Sequence, residues 1–194
     1  MRVVIRDVQP AEEIAWTAPE AMRAHPGSLE AVFREHYPRM VGMLARLTGD
    51  RPHAEDIAAD VFCKLARRPA ILRAATDVTA WVYRVAANAG VDALRVSARR
   101  RRREQAAGVE RIRVESPPGA LEEILRQERR ARVRDVLADL KPREAQLLLL
   151  RSGGMAYKEL ARTLGVAAGS VGTLLARAEA EFERRYRARF GEEK

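Results

Sequence analysis

Six residues, Trp81, Arg84, Asn88, Asp92, Arg95 and Arg99, recur at steps of three and four, the spacing that brings side chains onto one face of an α-helix. An aromatic ring, an amide and guanidinium groups on one face suit a nucleic-acid strand with unstacked bases. The ring stacks on a base, the amide reads a base edge, and arginine holds phosphate. An unbroken basic run follows directly, Arg99, Arg100, Arg101, Arg102 and Arg103. Alone, such a run is a solvated or disordered segment. At the end of a strand-reading helix it is placed to hold phosphates of adjoining duplex, which would give steep salt dependence. Trp81 taken singly reads more readily as a core residue, so Asn88 and Arg95 are the stronger candidates.

A second constellation lies near the end of the sequence. Residues 157–176 fit the helix–turn–helix template of about twenty residues, with Leu160, Leu164, Val166, Val171 and Leu174 at its buried positions. Ala161 is the small residue where the helices cross, and Gly165 stands at the turn, where positive φ is cheapest for glycine. Ser170 is placed to cap the second helix. That helix would enter a DNA major groove with its first turns nearest the base edges, offering Ser170, Gly172, Thr173 and Arg177. Lys158, Arg184 and Arg185 fall where phosphate contacts are made. With so little charge on the reading face, this lobe alone should bind DNA weakly. The alternative is a helical hairpin packed for stability.

A third group, Asp56, Asp60 and Lys64, forms an i, i+4 row opposite the apolar stripe Ile57, Val61 and Leu65. By local chemistry this is a solvated face with an Asp60–Lys64 ion pair contributing about 0.3–0.5 kcal/mol. Enzyme chemistry finds little support: His25, His36 and His53 are far apart, with no metal-ligand pairing and no glycine-rich phosphate loop. The single Cys63, with no histidine at helical spacing, reads as packing. No catalytic group, metal or cofactor is expected.

The elements that must position these residues are helical. Residues 1–27 hold no period, being interrupted by Pro10, Pro19, Pro26 and Gly27, and VVIRDV is a short strand or a tail. Ser28 can cap a helix carrying Leu29, Val32, Phe33 and His36 on one face. Pro38 is expected to interrupt or kink it before Met40, Val41, Leu44 and Leu47. A turn over 48–52 leads to a helix over about 53–68, ended by Pro69. After a loop with at most one helical turn, Thr79 can cap a long helix whose inner stripe is Val82, Val85, Ala86, Ala89, Ala93 and Val96. Residues 104–119, with Gly108, Pro117 and Pro118, read as a linker. Helices over about 120–139 and 143–152 precede the helix–turn–helix. The expected fold is therefore all-α: two small helical domains, 28–103 and 120–194, joined by a flexible linker.

The chain of 194 residues carries a net charge of +9, which favours a polyanionic partner. The surplus sits in two blocks, with 15 basic against 8 acidic residues in 28–103 and 16 against 12 in 120–194. One cysteine excludes an internal disulfide framework. No apolar run reaches the roughly 20 residues that cross a bilayer, and acids interrupt the N-terminus where a secretory signal needs an apolar core. A cytoplasmic protein without membrane insertion is expected, with no fused sensory domain after the recognition helix.

LEAVFREHYPRMVGMLARLTGD, HAEDIAADVFCKLARRP and TAWVYRVAANAGVDALR with its basic run resemble region 2 of extracytoplasmic-function sigma factors. DVLADLKPREAQLLLLRSGGMAYKELARTLGVAAGSVGTLLARA is similar to their region 4. The resemblance covers about residues 28–190 and draws its specificity from the order and joint presence of both halves. It implies a promoter-recognition subunit of bacterial RNA polymerase. The lobe 28–103 would recognise and melt the minus-ten element through Trp81 to Arg103, and the lobe 120–194 would read the minus-thirty-five element. Glu55, Asp56, Asp60 and Lys64 would dock on the clamp coiled coil of the largest polymerase subunit, with the flap as a second contact. The linker, with Glu104, Glu110 and Glu115 against Arg111 and Arg113, would thread toward the active-site cleft. An anti-sigma protein wrapping both lobes is a further partner the resemblance implies. The chain departs from the family pattern at Ala59, Ala66, Gly172, Leu174 and Glu179. The rival reading is a stand-alone helix–turn–helix regulator of duplex operators, which the basic third helix and a linker without dimerisation heptads disfavour.

Overall fold

The protein's structure, a computed structural model, describes residues 28–73, 77–107 and 120–191, and every regular element among them is helical. Ser28 opens α1 (Leu29–Thr48) by accepting the Ala31 N–H at 3.1 Å, satisfying one of the unpaired first-turn donors. Gly49 closes it at φ 75° and donates its N–H to Ala45 O, a left-handed cap that suits glycine. Pro38 lies inside α1 without ending it. The helix on its C-terminal side is anchored by Met40, Val41, Met43, Leu44 and Leu47 in the core, and that burial outweighs the one backbone bond proline cannot donate.

α2 (Arg51–Ala66) starts two residues earlier than its sequence suggested. Asp50 Oδ1 accepts the His53 N–H at 3.1 Å, and Pro52 occupies the first turn, where no N–H is needed. α3 (Pro69–Arg73) is the single short helical turn expected after it.

α4 (Val78–Ala106) has 29 residues and is about 43 Å long at 1.5 Å per residue. It begins behind Asp77, and Thr79 does not cap it: the Thr79 hydroxyl lies 3.2 Å from His36 Nε2. The helix runs through Glu104 to Ala106, into the segment read as linker. The rest of that linker, with Glu110, Arg111, Arg113 and Glu115, lies outside the described residues, as do residues 1–27 with the VVIRDV segment.

The apolar stripe of α4 is broader than its sequence indicated. Val82 and Ala86 are buried as expected, but Tyr83, Ala87, Gly90, Val91, Leu94 and Ala98 are buried with them. Val85, Ala89 and Ala93 are half-buried, and Val96 is 54% exposed. The reason is that α4 packs on two sides, against α1 and α2 on one and the second lobe on the other. A one-sided amphipathic pattern therefore misplaces the centre of its buried arc.

The second lobe comprises α5 (Ala120–Asp139), α6 (Pro142–Ser152), α7 (Tyr157–Leu164), a 3₁₀ turn (Ala168–Ser170) and α8 (Val171–Phe190). Glu144 Oε2 accepts the Lys141 N–H at 3.1 Å at the start of α6. Gly165 caps α7 at φ 64°, as the template required. Leu160, Ala161 and Val171 are buried; Leu164, Val166 and Leu174 are half-buried, and Leu175 and Ala178 complete the interface. Ser170 makes no side-chain cap. At φ −86° and ψ −16° it continues the 3₁₀ turn, whereas a capping serine sits in extended backbone.

The buried residues of both lobes form one connected core, from Val32 in α1 to Ala178 in α8. Gly90 lies at the junction. A Cβ there would come within 2.7 Å of Leu44 Cδ2, 3.0 Å of Leu47 Cδ2 and 3.9 Å of Leu149 Cδ2. Gly90→Leu should therefore cost about 1–3 kcal/mol by overpacking, read as a lower urea midpoint. An unchanged midpoint would show that α1 and α4 can move apart freely.

His36 is 7% exposed and packs edge-on to Tyr83, ring centroids 5.6 Å apart. Burial pushes its pKa below the ordinary 6.5; Glu35 opposes this, Arg39 reinforces it, and Glu159 opposes it. The unfolded chain thus takes up the proton more readily than the folded one. The stabilisation is complete above pH 6.5 and is lost as pH falls through the lower folded-state value. Chemical denaturation between about pH 7 and 5 should show stability falling, and falling less for His36→Asn. Equal losses in both chains would place the acid sensitivity elsewhere.

Candidate nucleic-acid interface

Around α4, at about 100° per residue, Arg84, Asn88, Arg95 and Arg102 lie within about 40° of one another, and all four meet the second lobe. Arg84 Nε donates to Thr163 O at 2.5 Å and Nη2 to Arg162 O at 3.1 Å. These carbonyls belong to the last turn of α7, which lacks helical partners and carries the negative end of the dipole. Asn88 Oδ1 accepts from Gln146 Nε2 at 2.7 Å. Arg95 Nη2 donates to Leu140 O, at the α5–α6 junction, at 2.7 Å. Arg102 pairs with Asp139 at 2.5 Å, and the neighbouring Arg101 pairs with Asp135 at 2.5 Å.

Trp81, Asp92 and Arg99 stand about 60–80° further round the helix. Trp81 is half-buried against the core with the Arg68 guanidinium 5.6 Å from its ring centroid, so its core role is real. Asp92, Arg99, Arg100 and Arg103 are exposed, and Arg100 Nε bonds Glu104 Oε1 at 2.7 Å. The single face read from the sequence is thus two groups, and the one bonded to the second lobe keeps Arg84, Asn88 and Arg102 exposed while Arg95 is half-buried.

That contact is charged and incompletely paired. Nε of Arg95 and Nε of Arg101 are buried with no hydrogen-bond partner. Burial, reinforced by nearby Arg101, lowers the pKa of Arg134 on α5. Asp135 and Asp139 also face Arg189 of α8, at 3.9 Å and 3.1 Å. Sequence reasoning missed Asp135, Asp139 and Gln146. Their partners on α4 are 34, 37 and 58 residues away, beyond any helical spacing that could have signalled them.

On the helix–turn–helix, Lys158, Ser170, Thr173 and Arg177 are exposed, and Gly172 is half-buried, its missing Cβ facing the Tyr157 ring at 3.9 Å. Arg184 is held by Glu181 through bonds of 2.9 and 2.7 Å, and Arg185 by the same carboxylate at 2.6 Å. These bonds lower the Glu181 carboxyl to about 2.

On α2, Asp56, Asp60 and Lys64 are exposed, as are Ala59 and Ala66. Among the described residues no ion pair joins Asp60 to Lys64. Glu55 is half-buried and bonds Arg51 Nε at 2.9 Å. Cys63 is exposed on the same helix, so the packing role read for it is not the one it has. Among the described residues no three His, Cys, Asp or Glu side chains are grouped to hold a metal ion, and no helix is long and apolar enough to cross a membrane.

Residues 32–101 match Sigma-70 region 2, and residues 130–182 match Sigma-70, region 4. Together the matches span more than half of the chain. It is 26% identical over 163 residues to the RNA polymerase sigma factor YlaC of Bacillus subtilis, covering 82% of this chain and 92% of that one. It is 29% identical over 145 residues to the RNA polymerase sigma factor CarQ of Myxococcus xanthus, covering 74% and 80%. Against the ECF RNA polymerase sigma factor SigE of Mycolicibacterium smegmatis, identity is 27% over 169 residues, covering 84% of this chain and 65% of that longer one. With region 2 ahead of region 4, the chain belongs to the sigma-70 family of RNA polymerase sigma factors, in its extracytoplasmic-function branch.

Proposed function

We propose that this chain is a bacterial sigma factor that binds core RNA polymerase and directs promoter recognition, DNA melting and initiation from a cytoplasmic pool. The observation that carries this reading is the ordered pair of region matches, with α4 of the first carrying arginine, asparagine and tryptophan beside its buried arc. The minus-ten element would be read from α4, with Asn88 and Arg95 at base edges and backbone, Trp81 stacking from its half-buried seat, and Arg99, Arg100 and Arg103 on upstream phosphates. Melting needs no catalytic group, because contacts to the unstacked base offset the cost of removing it from the duplex. Sigma factors are non-enzymatic, and no catalytic residue is assigned here. Lys158, Ser170, Gly172, Thr173, Arg177 and Arg184 would face the minus-thirty-five element. Arg184 would have to exchange Glu181 for phosphate.

Asp56, Asp60 and Lys64, exposed in a row on α2, fit the clamp coiled coil of the largest subunit, where acidic residues would meet basic partners. Glu55 would contribute at the edge, and the flap would hold the second lobe. An anti-sigma protein would have to cover these same polymerase-facing surfaces.

Mixed with sigma-free core polymerase, the chain should co-elute with it and yield promoter-specific transcripts. Tight binding to duplex operator with no affinity for core polymerase would sustain the stand-alone regulator in its place. Asn88→Ala should reduce open-complex formation by at least about fivefold while changing core binding less than twofold, the loss of one good base contact being about 1–3 kcal/mol. Equal losses in both would remove Asn88 from the promoter-reading role. Core polymerase should also shield exposed Cys63 from alkylation, and an unchanged alkylation rate would move the docking surface off α2.

A further inference from the structure

We infer that the cleft between the α1–α2 turn and α5 is an anion site for a compact oligophosphate, gripped by Arg46, Arg130 and Arg134 with Arg51 beside them. None of the four belongs to the promoter or polymerase surfaces proposed above, so the site stands apart from that reading.

The cleft has a volume of about 680 Å³, within the range of roughly 300–1,000 Å³ usual for small-ligand sites. Arg46 enters it from the last turn of α1 and Arg51 from the first residue of α2. Arg130 and Arg134 enter from α5, four positions apart and so on one face of that helix. Among the described residues no acidic side chain lines the cleft. Arg51 is answered by Glu55 at 2.9 Å, but among the described residues Arg46, Arg130 and Arg134 form no ion pair. The cleft therefore gathers three unanswered cations from two lobes.

Stability alone would disperse these charges, because like charges four apart on a helix repel. Arg134 is half-buried, and its Nε is buried with no hydrogen-bond partner, a desolvated donor that nothing in the folded chain offsets. Burial lowers the Arg134 pKa; Arg101 reinforces this, Asp135 opposes it, and Arg130 reinforces it. The guanidinium is nonetheless held in place. A Cβ on Gly49 would lie 2.9 Å from Arg134 Cζ and Nη1 and 3.3 Å from Nη2. Gly49, at φ 75°, thus lets the planar fork rest on the turn, set before a ligand arrives, which lowers the cost of binding. A guanidinium fork matches two oxygens of one phosphate, and consecutive phosphates offer oxygens to several forks at once. Such a ligand supplies the negative charge that the cleft lacks. The DNA backbone carries the same group, and the test separates the two sources.

The probe is inorganic tripolyphosphate, titrated calorimetrically into the full chain. The parent chain should bind it, and Arg130→Gln with Arg134→Gln should weaken binding at least tenfold, or about 1.4 kcal/mol. Arg99→Gln with Arg103→Gln removes the same charge from the exposed basic run and should weaken it less than twofold. No binding by the parent chain, or equal losses in the two double variants, overturns the site. A fluorescein-labelled DNA duplex is then bound to the same chains, and the Arg130, Arg134 variant should lose less than threefold. A loss for the duplex equal to that for tripolyphosphate gives the cleft to the DNA backbone and overturns the free ligand. Should that variant not fold, phenylglyoxal modification of the parent chain, read by peptide mass, keeps the test. Saturating tripolyphosphate should slow modification of exposed Arg46 and Arg130 at least fivefold and leave Arg99 and Arg103 within twofold. Uniform protection, or none, overturns the proposal.

Discussion

α4 has to be buried along two sides and charged along the rest. Val82, Ala86 and Leu94 bind it into the first lobe, and Gly90 lets α1 approach closely on the side of Leu44 and Leu47. The same helix then offers Arg84, Asn88, Arg95 and Arg102 to the second lobe. A helix buried twice presents a wide apolar arc, and every side chain at the arc's edge is forced to choose between solvent and a neighbour. The position of α5, α6 and α7, and the single core that runs through both lobes, follow from that choice.

Arginine suits this edge better than lysine would. Its stem covers apolar surface while its planar head reaches carbonyls and carboxylates several ångströms away. Arg84 finds the open carbonyls at the end of α7, and Arg95 finds the one between α5 and α6. Both are places where helix geometry leaves acceptors unpaired. The guanidinium that stabilises the packed lobes is planar and always charged, and it bonds carbonyl and carboxylate oxygens alike. The opposite rim of α4, with Asp92, Arg99, Arg100 and Arg103, keeps its access to solvent.

Local features were legible wherever the determining interaction spans no more than a few residues. Ser28 caps α1 through a bond to Ala31, three positions on, and Gly165 takes the positive φ that a tight turn between helices demands. Among the readings that failed, some are those in which a neighbour in space outbid the local rule. Thr79 turns to His36, 43 residues away, and Asp77 precedes the helix in its place. Pro38 stays within α1 because the residues after it are locked in the core. Ser170 follows a 3₁₀ turn that no spacing announced. Cys63 lies outside the stripe of Ile57, Val61 and Leu65, and on a helix buried along one stripe that alone leaves it exposed.

The sequence by itself determined that the chain is helical, where most helices begin and end, and which types of side chain each helix carries. Periodicity, caps and turn residues act within one or two helical turns, and the types of side chain are given outright. Only the tertiary structure decided which of those side chains the second lobe holds. Arg101 and Arg102 look identical to Arg99 and Arg100 in a basic run, yet the first two are held by Asp135 and Asp139 across the lobe boundary. Their state depends on how a helix 34 and 37 residues downstream packs, and packing of that kind is set by shape and burial over the whole core, beyond anything residue spacing encodes.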